Sequence, residues 1–404
     1  MSSKFDFFVP KDKTECEYIG YDAKKRGSTF VFPCRYFDGE VRSGGEPDYK
    51  SGARDIIFLL KRVRQEYNFG GSTGEFRQFQ SMLWLMQDYI DNGCYVETET
   101  VYKNNGGGRI NWKKTIKQNN ILFDNGNIVY PSFVRNRVTT DESRIITQIY
   151  KACLARSVEE LGFIYGLGQT ERSLYDVDRD KDFLVYYLTS ELNSTFRDYK
   201  KTLLNHLLAI VNNRDNGTKS LGFSIYDSEF EYVFEFLVNR AFGTEDVKRF
   251  YNTYSYYLPQ RVPSSRLRPD TVMKDEKNKM YYIIDSKYYN YGYTRDPKDL
   301  PAASSVSKQI GYNHYLRDNL PEAERNAGYR VKSIFVLPYA SAAEGEYVRY
   351  VGYAQRDKRE GDVVDTKGVD DDVAVCLVDL KELIYTYLHN RGNLTPQALI
   401  ACLK

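Results

Sequence analysis

Two aspartates and a lysine within residues 266–289 have the types and the spacing of a site for metal-assisted hydrolysis. The segment reads RLRPDTVMKDEKNKMYYIIDSKYY, with Asp270 after a proline and Asp285 two residues before Lys287. Two carboxylates that converge repel each other unless a cation lies between them. Mg²⁺ is the expected cation because it prefers carboxylate and phosphate oxygens. It would polarise a phosphodiester and activate a water, while the lysine positions that water and stabilises charge on the phosphorus.

The secondary structure predicted around these residues would bring them together. Residues 267–273 and 280–289 have the composition of strands, and the polar residues between them suit a turn. Such a hairpin places Asp270 near Asp285 and Lys287, and alternation along a strand puts Asp285 and Lys287 on one face. An exposed hairpin with merely solvated charges would have the same pattern, so the surrounding elements decide between the two interpretations.

Predicted helices on either side of the hairpin carry further polar candidates. Apolar residues at spacings of three and four predict a helix over about 226–242, on which Glu231 and Glu235 share one flank. Either glutamate could reach the end of the sheet as a third metal ligand. A helix after the hairpin carries Gln309 and Tyr312, which could contact a DNA phosphate or orient the metal-bound water. These neighbours favour a metal site over solvated charges.

The chain divides into three predicted regions. Residues 1–140 combine glycine-rich loops, short strands and an amphipathic helix over 76–93, which indicates an α+β domain. Residues 141–221 are predicted to be a helical connection to residues 222–404, the domain with the metal-site residues. The predicted fold class is therefore α/β, in the α+β sense, with helices on either side of the hairpin.

Composition excludes several classes of protein. The 404 residues are 42% hydrophobic with a net charge of +2, which suits a globular chain and gives no overall attraction to a polyanion. No apolar run approaches the roughly 20 residues of a membrane span, and the first residues lack a signal peptide. We therefore expect a cytoplasmic protein without membrane contact. The six cysteines form no CxxC pair, so ordinary thiols are expected rather than a zinc ribbon or a disulfide framework.

The order of the C-terminal elements resembles the PD-(D/E)xK nuclease superfamily, which implies a mixed α/β core with the active site at one end of a small sheet. A second motif, residues 108–116 (GRINWKKTI), is similar to a GxxxW-K-x-T element of LlaJI-type restriction endonucleases. Those enzymes are related to the McrC subunit of modification-dependent restriction systems. Two motifs in the right order, over about 100–315, are more specific than either motif alone.

The resemblance implies roles for five residues. Asp270, Asp285 and Glu235 would bind Mg²⁺, and Lys287 and Gln309 would complete the catalytic set. The expected activity is hydrolysis of phosphodiester bonds in double-stranded foreign DNA.

Two positions in this set stay open. A Phe-Glu pair precedes the McrC nuclease core, which favours Glu235, although Glu231 remains the alternative. Relatives tend to have Gln-x-x-x-Tyr, whereas this chain has Gln309 three residues before Tyr312. Both Tyr312 and Tyr315 are therefore candidates for the tyrosine of that motif.

The resemblance also implies a partner, an McrB-like AAA+ GTPase that translocates on DNA, contacted by the N-terminal region. Residues 106–116 would lie at the contact with that motor or with DNA. A stand-alone sequence-specific type II endonuclease and a non-catalytic DNA-binding scaffold subunit are the alternatives. Dimerisation is a further option, because cutting both DNA strands usually calls for two active sites.

Overall fold

The structure, a computed structural model, describes eleven stretches of the chain in two compact units. One unit spans 72–222, and the other combines 4–71 with 223–404. The described residues are 6–11, 15–22, 29–34, 36–37, 48–67, 74–212, 222–250, 252–257, 259–341, 345–356 and 371–403.

The first unit combines a helical bundle with two small antiparallel sheets. One sheet has the order β4-β8-β5, and β6 and β7 form a separate hairpin. Helices α2, α4, α5 and α6 pack together. The bounds are α2 Gly74–Asn92, β4 Thr98–Asn104, β5 Arg109–Ile110, α3 Trp112–Gln118, β6 Leu122–Asp124, β7 Asn127–Val129, β8 Val134–Thr140, α4 Ile145–Leu161, α5 Lys181–Ser194 and α6 Asp198–Asn212.

The second unit carries three sheets. They are a four-stranded sheet of order β1-β3-β2-β9, a two-stranded β10-β11 sheet and a five-stranded sheet. The bounds of the strands are β1 Asp6–Phe8, β2 Tyr18–Asp22, β3 Thr29–Val31, β9 Gly222–Tyr226, β10 Asn252–Tyr257, β11 Arg261–Leu267, β12 Thr271–Asp275, β13 Met280–Ser286, β14 Arg330–Tyr339, β15 Val348–Ala354 and β16 Val373–Asp379. The bounds of the helices are α1 Tyr49–Tyr67, α7 Asp227–Phe242, α8 Tyr291–Thr294, α9 Ala303–Asp318, α10 Glu322–Asn326, α11 Leu380–His389 and α12 Pro396–Cys402.

The five-stranded sheet is mixed, with the order β12-β13-β14-β16-β15. Its three central strands β13, β14 and β16 are parallel, and the outer strands β12 and β15 are antiparallel to their neighbours. Every residue of β13 and β16 is buried, as expected for parallel strands covered on both faces. Helices α7 and α9 both pack against β13. The predicted combination of helices with a mixed sheet is therefore confirmed.

The helix α9 connects the two parallel strands β13 and β14, so it runs antiparallel to both. Tyr281 and Ile283 of β13 form one apolar cluster with Tyr312 and Leu316 of α9. Side chains alternate along a strand, so Asp285 lies on this same face of the sheet. The hydroxyl of Ser333 on β14, opposite Ile283, donates to the backbone carbonyl of Gln309 at 3.3 Å, so Gln309 lies near the level of Ile283, two residues before Asp285.

Local periodicity predicted several elements. The hairpin is confirmed as β12 and β13, with Thr271 opposite Ile284. Its first strand is shorter than predicted, because residues 261–267 form a separate strand, β11, that pairs with β10. The helices predicted over 76–93 and 226–242 are confirmed as α2 and α7. Gly93 follows α2 with φ +76°, the left-handed conformation that commonly ends a helix.

The two units differ from the predicted regions at the N-terminus. Residues 4–71 join 223–404, whereas the predicted first region ran over 1–140. The reason is long-range pairing: β2 lies beside β9 in one sheet, and α1 packs against α11. Such contacts leave no periodic signal in the sequence. The functional division into 1–140, 141–221 and 222–404 stays a prediction.

Across the described ranges, none of the helices combines the length and apolar character needed to cross a membrane.

Candidate functional site

Asp285 is a buried charge at the carboxyl end of a central strand. It is the sixth of the seven residues of β13, lies opposite Phe335 of the parallel strand β14, and is 1% exposed. A buried carboxylate needs compensation by a cation or by hydrogen bonds. Oδ1 accepts no hydrogen bond from the described residues, and the close contact of Oδ2 is with a cation. Asp285 therefore depends on charge for its compensation.

That charge comes from Lys287, whose Nζ lies 2.8 Å from Oδ2 of Asp285. The backbone N–H of Lys287 donates to the carbonyl of Val336 at 2.9 Å, which continues the strand pairing beyond β13. Alternation then places the lysine on the face of Asp285, as predicted. Burial lowers the pKa of Lys287, but the charges of Asp285 and then Asp270 more than offset it, so the net pKa is raised. Lys287 is therefore a cation at neutral pH.

Asp270 lies directly opposite Asp285. Continuing the pairing of Thr271 with Ile284 by one residue aligns the two aspartates, and opposed residues of an antiparallel pair share a face. Oδ2 of Asp270 accepts a hydrogen bond of 2.8 Å from the backbone N–H of Ser286. Burial first, and then the charges of Asp285 and Glu235, raise the pKa of Asp270 to about 8.

Glu235 joins this group through α7, the helix that packs against β12 and β13. Burial raises the pKa of Glu235, Lys287 opposes that shift, and the charges of Glu231 and Asp285 add to it. Glu235 also contributes to the raised pKa of Asp270. The charge of Glu235 thus interacts with the charges of both aspartates. The choice of Glu235 over Glu231 as a ligand stays a prediction.

Gln309 is fully buried on α9, and both its side-chain oxygen and its side-chain nitrogen lack a hydrogen-bond partner within the described ranges. Buried amides are normally satisfied, so an unsatisfied one requires a reason. A bound water or ligand beside this amide would satisfy it. The catalytic role of Gln309 stays a prediction.

Tyr312 has a structural contact that sequence reasoning did not foresee. Its hydroxyl donates a 2.6 Å hydrogen bond to the backbone carbonyl of Arg268, two residues before Asp270, and the ring is buried. Tyr312 thus holds the segment that presents Asp270. Sequence reasoning also missed Lys308, whose charge lowers the pKa of Glu235. The feature of the sequence that could have identified Lys308 was its position directly before Gln309.

The three acidic residues fit a divalent cation. Asp285 has an oxygen, Oδ1, that meets no donor in the described part of the chain, and Oδ2 contacts Lys287. The pKa of Asp270 shows that its ionised form is disfavoured by burial and by nearby negative charge. A hard cation would relieve that repulsion, because it prefers carboxylate oxygens. Asp270, Asp285 and Glu235 are the residues that could hold it.

The motif at 108–116 lies in the first unit and has clear structural reasons for two of its residues. Gly108 has φ +119°, and a Cβ added there would clash with the carbonyl oxygen of Asn136 on β8. Thr115 is fully buried, and its hydroxyl accepts a 2.9 Å hydrogen bond from the N–H of Val134. By contrast, Trp112 is 53% exposed. The motif therefore combines an internal framework with an exposed aromatic residue.

Basic side chains accompany that tryptophan. Arg109 and Lys113 are exposed, and the ammonium of Lys114 lies 3.1 Å from the centre of the Tyr102 ring. Cationic and aromatic groups together suit an interaction surface, whether for protein or for nucleic acid. The predicted role of residues 106–116 in such a contact stays a prediction.

Comparison with known proteins gives a relative with restriction activity in its name. The chain is 28% identical over 243 residues to a protein of Bacillus subtilis (strain 168) described as the type II restriction enzyme BsuMI component YdjA. The match covers 55% of this chain and 51% of that protein, so the chain spans about half the length of its curated relative.

A solved assembly of McrB AAA+ hexamers with bound McrC, from Thermococcus gammatolerans, also matches. The match covers 93% of this chain and 82% of that one, with 13% identity and a TM-score of 0.31. The family comparison is stronger, because the model of the LlaJI restriction endonucleases matches residues 72–351, more than half of the sequence. That match includes the 108–116 motif and all five predicted site residues, and the chain belongs to the LlaJI restriction endonuclease family.

Proposed function

We propose that this chain is a Mg²⁺-dependent DNA endonuclease with a PD-(D/E)xK core, acting as the cleavage subunit of a restriction system. The observation that carries the proposal is the buried ion pair between Asp285 and Lys287 at a sheet end, beside Asp270. Membership of a restriction endonuclease family supports phosphodiester bonds of double-stranded DNA as the substrate.

The acidic residues would serve as the metal ligands. Asp270, Asp285 and Glu235 would hold Mg²⁺, which when bound polarises the scissile phosphate and lowers the pKa of an attacking water. Asp285 can offer Oδ1 without breaking its contact with Lys287. The hydrogen bond from the N–H of Ser286 fixes the orientation of the Asp270 carboxylate.

Lys287 would act as a fixed positive charge. The neighbouring aspartates raise its pKa, so it does not accept a proton at neutral pH. It would instead donate hydrogen bonds to the attacking water and stabilise the negative charge that develops on the phosphate oxygens. Gln309, with an unsatisfied amide, would orient the same water or a phosphate oxygen.

Cleavage of supercoiled plasmid by the purified chain tests the proposal. Asp285→Asn and Lys287→Ala should each reduce the Mg²⁺-dependent rate by at least about 100-fold, because each removes a charge acting on the reacting phosphate. Asp275→Asn is the matched control: it is a buried aspartate at the turn end of the same hairpin, and it should retain cleavage. Full cleavage by either site variant, with Mg²⁺ and any required partner present, would refute the mechanism.

The partner forms a separate part of the proposal. The sequence resemblance to McrC supports an McrB-like AAA+ GTPase as motor, and the word "component" in the name of the relative supports an enzyme of several chains. Plasmid cleavage should then need both GTP and the neighbouring AAA+ protein. Efficient cleavage by this chain alone would instead establish a stand-alone type II endonuclease. DNA binding with intact metal binding but no cleavage under any condition would identify a scaffold subunit.

A further inference from the structure

Two cysteines and an aspartate that the proposed nuclease does not use lie together in the second unit. Cys16 precedes β2, Cys34 follows β3, and Asp227 is the first residue of α7. The strands β2 and β3 are antiparallel, with Gly20 opposite Val31. This pairing brings Cys16 and Cys34 to the same end of the β2–β3 pair.

The three side chains have the geometry of a metal site. The two sulfur atoms and a carboxylate oxygen of Asp227 all lie within 4.8 Å of one another. In a tetrahedral zinc site with Zn–S bonds of about 2.3 Å, ligand atoms lie roughly 3.5–4 Å apart. Only small side-chain movements separate this arrangement from coordination.

Burial distinguishes this group from a chance surface cluster. Cys16 is 4% exposed, Cys34 is 1% exposed and Asp227 is 9% exposed. The thiol of Cys34 and burial, followed by the charges of Cys34 and Asp227, raise the pKa of the Cys16 thiol. The three groups thus oppose one another's ionisation. A cation among them would remove that opposition, because metal binding favours the thiolate form.

We propose that Cys16, Cys34 and Asp227 bind one Zn²⁺ ion per chain. Soft thiolate ligands bind zinc in preference to magnesium. Magnesium instead prefers oxygen ligands such as the carboxylates around Asp285. Three protein ligands leave the fourth tetrahedral position to water.

The site would join the N-terminal strands to the helix of the nuclease site. The N–H of Asp227 donates to the carbonyl of Glu17 at 3.2 Å, which already ties the start of α7 to the segment before β2. The hydroxyl of Tyr288 donates to the carbonyl of Cys34 at 3.3 Å. Tyr288 directly follows Lys287. A zinc ion would therefore act as a structural link beside both α7 and the end of β13.

Zinc content of the full-length protein tests the proposal. The protein is expressed with added zinc, purified under reducing conditions and analysed by mass spectrometry of the metal. We expect about one equivalent of zinc per chain, and substitution with Co²⁺ should give a thiolate-to-cobalt charge-transfer band. Cys34→Ser should lose both the zinc and the band. Cys94→Ser, a partly exposed cysteine of the first unit, should retain both.

A second control separates this site from the proposed nuclease site. Asp270→Asn removes a nuclease carboxylate and should keep the zinc equivalent, whereas loss of zinc in that variant alone would overturn the assignment. A zinc-free protein without the cobalt band would also overturn it, as would a Cys16–Cys34 disulfide in the protein purified without reductant. The cobalt spectrum of the unmodified chain decides the matter even if Cys34→Ser fails to fold. None of these outcomes bears on Mg²⁺-dependent cleavage.

Discussion

Replacing Asp270 by asparagine should abolish cleavage and yet stabilise the metal-free protein at high pH. The amide oxygen of asparagine can still accept the 2.8 Å hydrogen bond from the N–H of Ser286. The negative charge, which burial, Asp285 and Glu235 all disfavour, is removed. The variant therefore loses a proposed metal ligand while it relieves the repulsion within the site.

The sign and size of this effect follow from the pKa of Asp270, about 8 in the folded chain and about 3.9 in an unfolded one. Below about pH 4 the carboxyl is protonated in both states, so its contribution to stability is fully present. Between about pH 4 and 8 the unfolded chain releases the proton and the folded chain retains it, so stability falls with rising pH. A shift of about four pKa units corresponds to at most about 5.5 kcal/mol. Because neighbouring carboxylates share the proton, the actual fall in stability should be smaller, about 2–4 kcal/mol. The Asp270→Asn variant should not show this fall.

Urea unfolding in EDTA at pH 5 and pH 9 measures this difference. Between pH 5 and pH 9, the free energy of unfolding of the unmodified protein should fall by about 2–4 kcal/mol more than that of Asp270→Asn. Adding Mg²⁺ at 100 times its Kd should restore about 2.7 kcal/mol to the unmodified protein, and much less to the variant. Equal losses for the two proteins in EDTA would refute the reasoning, because Asp270 would then carry no shifted proton.

Three further changes have expected outcomes. Lys287→Ala leaves a buried carboxylate without its cation, so the free energy of unfolding in EDTA should fall by about 3–5 kcal/mol, and Mg²⁺ should recover part of it in the same urea assay. Tyr312→Phe removes the hydrogen bond to the carbonyl of Arg268; stability should fall by about 1–2 kcal/mol, and a Mg²⁺ titration of cleavage should shift to higher concentrations. Gly108→Ala should lower stability by about 1–3 kcal/mol because of its φ and its close approach to β8. Gly107→Ala, where the added Cβ meets open space, should leave the melting temperature nearly unchanged.

The nuclease hairpin could be predicted because its determinants are local. A run of apolar residues before Asp285, a polar turn and two-residue alternation were enough to pair β12 with β13 and to place Lys287 beside Asp285. The amphipathic helix α7 could equally be predicted, from the spacing of its apolar residues by three and four positions. Each of these inferences uses residues that are neighbours in the chain.

Contacts between distant segments could not be predicted in this way. The sequence gives no periodic sign that residues 4–71 pack with 223–404, or that Cys16 meets Cys34 and Asp227. Tyr312 was a candidate for contact with DNA, whereas its hydroxyl bonds to the backbone near Asp270. Which atom a tyrosine hydroxyl meets depends on how α9 crosses the sheet, and the sequence pattern does not specify that crossing.

The helix α7 supports the site in two ways. It carries Glu235, which interacts by charge with Asp270 and Lys287, and its Phe230 and Phe234 pack on the ring of Tyr288. Because Tyr288 directly follows Lys287, that packing fixes the backbone from which the lysine extends. A shift of α7 would therefore displace Glu235, the proposed third acidic ligand, and Lys287 together.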